Sequence, residues 1–188
     1  MADTVEQVIA ETERRMKRTV DAVERDMAGV RTGRASAALL DTIKVEYFGS
    51  QLPVNQLATV SIPEPRLMIV APWDQSALHA IERAILTSDL GLNPQSDGKV
   101  LRLHIPPLTE ERRKELVRLV GRMAEEGRIA VRNVRRDGND SLDRMEKSGT
   151  ISEDERDAAK KRIQDLTDKY IRAIDRVLER KTEEIMEQ

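Results

Sequence analysis

The sequence predicts an α+β protein, namely an elongated antiparallel three-helix bundle into which a small β-rich α/β domain is inserted. Three long segments carry apolar residues at alternating three- and four-residue steps, the pattern of helices that pack along a seam. Between the first and second of these segments the period changes to two, which is typical of strands. Aromatic residues are 2% of the chain and charged residues 35%, which favours aliphatic seams between long helices with charged outer faces.

The first helix is predicted from the N-terminus to near Gly33. Asp3 is its predicted cap, and Glu6, three positions later, completes a capping-box pattern. The apolar stripe of this helix is predicted to consist of Val5, Ile9, Thr12, Met16, Val20, Val23, Met27 and Val30.

The inserted domain is predicted over residues 31–105, and the bundle over 1–30 and 106–188. Alternating patterns predict strands at 42–48, 57–62, 66–72 and 99–105, and Asp74 is predicted to cap a short helix that carries Leu78, Ile81 and Ile85. Residues 88–94 are predicted to form a loop. The first helix ends where the second begins, so both links to the insertion leave the same end of the bundle.

We interpret these two links as a double hinge, in which Gly33 supplies conformational freedom and the paired prolines limit it. The hinge residues are Arg31, Thr32, Gly33 and Arg34 in the first link and His104, Ile105, Pro106 and Pro107 in the second.

The second bundle helix is predicted over 109–147, and the third opens with a capping box formed by Ser152 and Glu155. The predicted stripe of the second is Leu116, Leu119, Val120, Met123, Gly127, Ala130, Val134 and Met145. That of the third is Ala159, Ile163, Leu166, Tyr170, Ile174, Val177 and Ile185.

The opposite face of the second helix is basic, with Lys114, Arg118, Arg122, Arg128, Arg132, Arg135 and Arg136. Acids three or four positions away are predicted to pair with Arg118 and Arg122. Arg132 has no acid at those spacings, and Arg128, Arg132 and Arg136 form a like-charged ladder at a cost of about 0.2–0.5 kcal/mol per pair. An anionic ligand would compensate that cost, because guanidinium groups suit phosphates. The alternative is that acids of a neighbouring helix neutralise the ladder.

Other features of the sequence exclude several classes of function. We find no phosphate-binding glycine loop, no acid–base constellation and no cysteine, and His79 and His104 are the only histidines, so we expect no catalytic site, metal or cofactor. Neither a secretion signal nor a membrane span is predicted, so we expect a cytoplasmic protein. The net charge is −2, so any nucleic-acid binding depends on local segregation of charge. A basic face without aromatic platforms suits the phosphates of a folded RNA.

The chain resembles the ribosome recycling factor family from end to end. The motifs that carry the resemblance are RTGRAS at 31–36, SDLGLNP at 88–94, PPLTEERRK at 106–114, RIAVRNVRRD at 128–137 and ISED at 151–154. The resemblance implies an L shape similar to tRNA, with a two-stranded hinge between the two domains. It implies a monomeric, non-enzymatic translation factor.

The resemblance also implies the activity and the partners. Together with elongation factor G, which hydrolyses GTP, the factor would split the post-termination ribosome into subunits. Its bundle would lie against large-subunit ribosomal RNA at the inter-subunit face. Carried over by motif, the RNA contacts are Arg132 and Arg135, flanked by Arg128, with Arg31 and Arg34 at the hinge.

Two other classes of function remain open from the residues alone. One is a helical chaperone or adaptor with no RNA role, for which acids paired with 128–136 across the bundle would be the distinguishing feature. The other is an RNA enzyme, which the lack of an acid–base or metal constellation disfavours.

Overall fold

The computed structural model describes residues 4–187. The chain divides into two compact units. One holds the described residues up to Arg31 together with Glu110–Glu187, and the other holds Thr32–Thr109. Four α-helices are present in the described chain: α1 (Val5–Ala28), α2 (Leu78–Leu86), α3 (Glu110–Lys147) and α4 (Glu153–Met186). The mixed α+β class, with long helices and a small β-containing unit, is confirmed.

Helices α1, α3 and α4 form the first unit, and each packs against the other two. Their directions follow from two glycines of α3. Gly127 lies against Val23 and Ile174, whereas Gly138, farther along α3, lies against earlier residues of α1 and α4, Thr12 and Ile163. Helix α3 is therefore antiparallel to both of its neighbours.

The N-terminus of α1 differs from the prediction. Thr4 is the N-cap, and it forms a capping box with Gln7. The predicted cap Asp3 lies outside the described residues, and Glu6 pairs instead with Arg162 of α4 at 2.5 Å. Hydroxyl, carboxylate and amide side chains of suitable length make these reciprocal bonds, and several neighbouring residues have such side chains. The spacing pattern alone therefore did not distinguish the pair Thr4–Gln7 from the predicted pair Asp3–Glu6.

The C-terminus of α1 also differs. The helix ends at Ala28 rather than near Gly33, with Gly29 as its C-cap. The Gly29 N–H donates to the Arg25 carbonyl at 3.3 Å and the Val30 N–H to the Met27 carbonyl at 3.0 Å, which closes the last turn early.

The predicted stripe is nearly right for α1 and α4 but partly wrong for α3. Leu119, Met123, Ala130 and Met145 are only half-buried. The side that faces the two neighbouring helices consists of Leu116, Val120, Ala124, Gly127, Val131, Val134, Gly138 and Leu142. Ala124 and Gly138, which the predicted stripe left out, let the helices approach closely, and periodicity weighted by large apolar residues does not detect them.

The second unit contains two antiparallel sheets and α2. A hairpin pairs β1 (Lys44–Tyr47) with β2 (Ser50–Pro53), and a four-stranded sheet has the order β3-β4-β6-β5, with strands Ala58–Glu64, Leu67–Pro72, Leu101–His104 and Gln95–Ser96. The buried core joins strand residues such as Met68 and Leu103 to Ile81 and Ile85 of α2. Asp74 caps a single 3-10 turn that precedes α2.

Within the described part of the chain, no helix combines the length and apolar character needed to cross a membrane.

Candidate RNA-binding surface

Arg128 is clamped by two carboxylates. Its Nε donates to Asp175 Oδ1 of α4 at 2.8 Å, and its Nη1 donates to Glu125 Oε2 at 2.9 Å. Burial disfavours the charged form of this side chain, but the hydrogen bonds to Asp175 and Glu125 outweigh it and raise the pKa of Arg128 above its usual value. Only 20% of the side chain is exposed. Arg128 therefore joins α3 to α4, and its charge is already paired within the protein.

Arg132 also has an acidic partner on its own helix, contrary to the prediction. Its Nη1 lies 3.5 Å from Glu125 Oε1. Glu125 is seven positions earlier and was therefore missed by counting neighbours at three and four. Long helical side chains lean toward the helix N-terminus, which brings the guanidinium of Arg132 past Arg128 to this carboxylate. The Arg132 side chain remains 40% exposed.

The other two arginines of the predicted ladder are less constrained. Arg135 Nη1 donates to Gln164 Oε1 of α4 at 3.4 Å, a long and neutral contact. Arg136 is exposed, and its side chain has no ion pair or hydrogen bond to any residue in 4–187. Arg132, Arg135 and Arg136 therefore present guanidinium groups that solvent and ligands can reach.

The N-terminal half of α3 reverses another expectation. The acid expected to pair with Arg118, Glu115, is bonded to Arg112 at 2.9 Å. Of the two acids expected for Arg122, Glu125 pairs with Arg128 and Arg132, and the Glu126 side chain pairs with no residue in 4–187. Arg118 and Arg122 are consequently exposed, and no carboxylate among residues 4–187 pairs with either of them. Lys114 does have a partner, since its Nζ lies 2.8 Å from Glu110.

In the first predicted hinge segment, Arg31 and Arg34 are exposed and Thr32 is half-buried. Gly33 has φ +76°, and a Cβ added there would lie 3.0 Å from Leu108 Cγ. This position requires glycine both for its backbone conformation and for the close approach of the Leu108 side chain.

The second predicted hinge segment continues from β6. His104 is its exposed last strand residue and pairs with Leu67, and the Ile105 N–H donates to the Arg66 carbonyl at 2.8 Å. Pro106 and Pro107 follow, both exposed. The hydrogen bond of Ile105 anchors the start of this link to the β-containing unit.

Taken together, the outer face of α3 can bind anions along several turns, and its accessible cations are guanidinium groups. A protein-binding adaptor would be favoured if acids of another helix paired with these arginines. Such an acid pairs with Arg128, but among residues 4–187 none pairs with Arg132, Arg135 or Arg136. Sequence reasoning missed Asp175 and Gln164 as partners and assigned Glu125 to Arg122, although Glu125 also lies three positions before Arg128 and that spacing could have indicated the pair.

Comparison with known proteins identifies relatives over the whole chain. A family model described as ribosome recycling factor matches residues 23–186. The ribosome-recycling factor of Heliobacterium modesticaldum is 54% identical over 183 residues, covering 97% of this chain and 99% of that protein. The factor of Rubrobacter xylanophilus is 52% identical over 187 residues and covers 100% of both chains.

Solved structures show the same likeness. The solution structure of the ribosome recycling factor superposes with a TM-score of 0.75 at 47% identity and covers 100% of both chains. A second structure is described as models for the T. thermophilus ribosome recycling factor and the E. coli elongation factor G bound to the E. coli post-termination complex. It has a TM-score of 0.65 at 50% identity and covers 98% of this chain and 100% of that chain.

Proposed function

The chain belongs to the ribosome recycling factor family, and on that premise we propose that it binds the post-termination ribosome and splits it into subunits for reuse. Elongation factor G is the proposed partner, and the GTP is hydrolysed by that factor. A relative at 50% identity is described together with elongation factor G on the post-termination complex, which supports this assignment. We further propose that the protein acts as a monomer in the cytoplasm and is not itself an enzyme.

The proposed binding surface is the outer face of α3. Arg132, Arg135 and Arg136 contact phosphates of large-subunit ribosomal RNA, and Arg128 flanks them as the residue that holds α3 on α4. Arg31 and Arg34, at the first link, are further proposed RNA contacts. The observation that carries the proposal is the accessibility of these guanidinium groups on a face without aromatic side chains, which suits contact with phosphates of folded RNA rather than base readout.

The proposed mechanism is mechanical. The bundle anchors on RNA, elongation factor G pushes on the unit Thr32–Thr109, and the links at 31–34 and 104–107 convert the push into displacement of the bundle. The hinge itself is a proposal. It is supported by the covalent order of the chain, which passes between the same two units at residues 31–32 and 109–110, beside these two links.

The test of the binding surface is Arg132→Ala. Loss of one phosphate contact should weaken co-sedimentation with ribosomes and lower the slope of log affinity against log salt by about one. Arg18→Ala is the matched control, because Arg18 is an exposed arginine of α1 with no partner among residues 4–187. Circular dichroism should show unchanged helicity in both variants. Normal co-sedimentation of Arg132→Ala across the salt series would show that the assignment is wrong.

The test of the hinge is Gly33→Ala. A side chain at φ +76° is strained and meets Leu108, so the first link should lose its native conformation. We expect subunit splitting to fall more than ribosome binding. Gly98→Ala is the control, since Gly98 has φ +88° with no atom within 4 Å. Equal losses of splitting and binding in Gly33→Ala would contradict the hinge.

A further inference from the structure

Glu125 is shared by two arginines of the candidate surface. Its Oε2 accepts a hydrogen bond from Arg128 Nη1 at 2.9 Å, and its Oε1 lies 3.5 Å from Arg132 Nη1. The carboxylate is 53% exposed. One acid of α3 therefore occupies the guanidinium that the proposed function assigns to RNA.

The two contacts of Glu125 differ in strength. Arg128 has a second carboxylate, Asp175, at 2.7 Å and is largely buried, so it stays in place when ligands arrive. Arg132 is twice as exposed as Arg128, at 40% against 20%, and its only acidic contact among residues 4–187 is longer than a charge-assisted hydrogen bond of about 2.7–2.9 Å. The Arg132–Glu125 pair is accordingly the exchangeable one.

We propose that Glu125 is an affinity-tuning residue that competes with RNA phosphate for Arg132. In the free protein the carboxylate holds the guanidinium against the helix surface. On binding, Arg132 leaves Glu125 for a phosphate, and on release Glu125 takes it back. The pair thus weakens ribosome binding and favours dissociation, which suits a factor that must leave the ribosome after each round. This inference rests on the function proposed above.

The energetic scale follows from the exposure of the pair. Exposed ion pairs change an equilibrium by about twofold to fivefold, so removing the competitor should tighten binding by that factor. The effect should also depend on salt, because added ions screen the Arg132–Glu125 pair and reduce the competition. At high salt, the ribosome affinities of the protein with Glu125 and of the protein without it should become equal.

The experiment compares Glu125→Gln with Glu126→Gln in ribosome binding across a salt series. Both substitutions remove one negative charge and keep the side-chain length, but the Glu126 side chain has no ion pair or hydrogen bond within 4–187. We expect Glu125→Gln to bind about twofold to fivefold tighter at low salt, with slower dissociation, and Glu126→Gln to bind as the unsubstituted protein does. Asp175 keeps Arg128 in place in the Glu125→Gln variant.

A double substitution shows whether the effect passes through Arg132. In an Arg132→Ala background, Glu125→Gln should no longer tighten binding. An equal gain in that background, a gain no larger than that of Glu126→Gln, or weaker binding by Glu125→Gln would each overturn the proposal. Failure of the proposed function would look different, because then Arg132→Ala alone would leave ribosome binding unchanged.

Discussion

Glu125 divides α3 into a shorter N-terminal half (110–124) and a longer C-terminal half (125–147), which carry similar numbers of cations but use them differently. In the N-terminal half, Arg118 and Arg122 are exposed and have no acidic partner among residues 4–187. In the C-terminal half, Arg128 and Arg132 share Glu125, and Arg128 also reaches Asp175 on α4. The difference shows that acids three or four positions away do not by themselves decide which cations are available, since a partner can also come from seven positions away or from another helix.

The inner sides of the same two halves differ in a parallel way. Gly121 has no atom within 4 Å of an added Cβ. At Gly127 that Cβ would lie 2.5 Å from Val23 Cγ2 and 3.2 Å from Ile174 Cδ1. The C-terminal half is therefore the part of α3 where α1 and α4 approach most closely at a glycine, and there Arg128 on the outer side is fixed by Asp175 of α4.

The largest expected effect is on the inner side. Gly127→Ala should lower the free energy of unfolding by about 2 kcal/mol, because overpacking against the stiff Val23 side chain exceeds the helix propensity gained from alanine. Chemical denaturation followed by circular dichroism measures it.

Gly121→Ala is the matched control for this substitution. With open space around its Cβ, it should gain about 0.5–1 kcal/mol from helix propensity alone. If both alanines stabilise the protein, the close packing at Gly127 has no energetic consequence and the contrast between the halves fails on the inner side.

The next effect is on the outer side of the C-terminal half. Arg128→Ala should lower the free energy of unfolding by about 1 kcal/mol, since it removes a half-buried link between α3 and α4 and leaves Asp175 without its partner. Arg122→Ala should change it by less than about 0.5 kcal/mol. Equal effects of the two substitutions in urea denaturation would show that the carboxylate clamp contributes nothing to stability.

Features specified by neighbouring residues were predictable from the sequence. Proline, the acids of the first turn and the 3.6-residue period place α3 at Glu110–Lys147, one residue from the prediction, and the Ser152–Glu155 capping box opens α4 as expected. The short strands Ser50–Pro53 and Gln95–Ser96 were missed, because their residues carry little apolar alternation and become strands only by pairing with a neighbour.

The candidate surface was predictable only in outline. Arginines at 128–136 identified the helix face. Glu125 lies three positions before Arg128, but its second contact, with Arg132, spans seven positions, and Asp175 lies on another helix. Gly138 likewise gave no hydrophobic signal, although its lack of a side chain brings Thr12 and Ile163 onto α3. Such contacts depend on the tertiary structure, and a single sequence records them only after the packing is known.

The smallest expected effect is a difference between the two halves in the salt dependence of RNA binding, rather than in stability. Arg122 has no intramolecular pair to break within 4–187, so its guanidinium can release counterions fully to a polyanion, whereas Arg128 is already neutralised by Glu125 and Asp175. For a short fluorescent RNA duplex, Arg122→Ala should reduce the salt slope of log affinity by about one, and Arg128→Ala by clearly less. Fluorescence anisotropy over a salt series measures both slopes. The opposite order would mean that Arg128 leaves its two carboxylates for RNA, and the clamped half of α3 would then be the more available one.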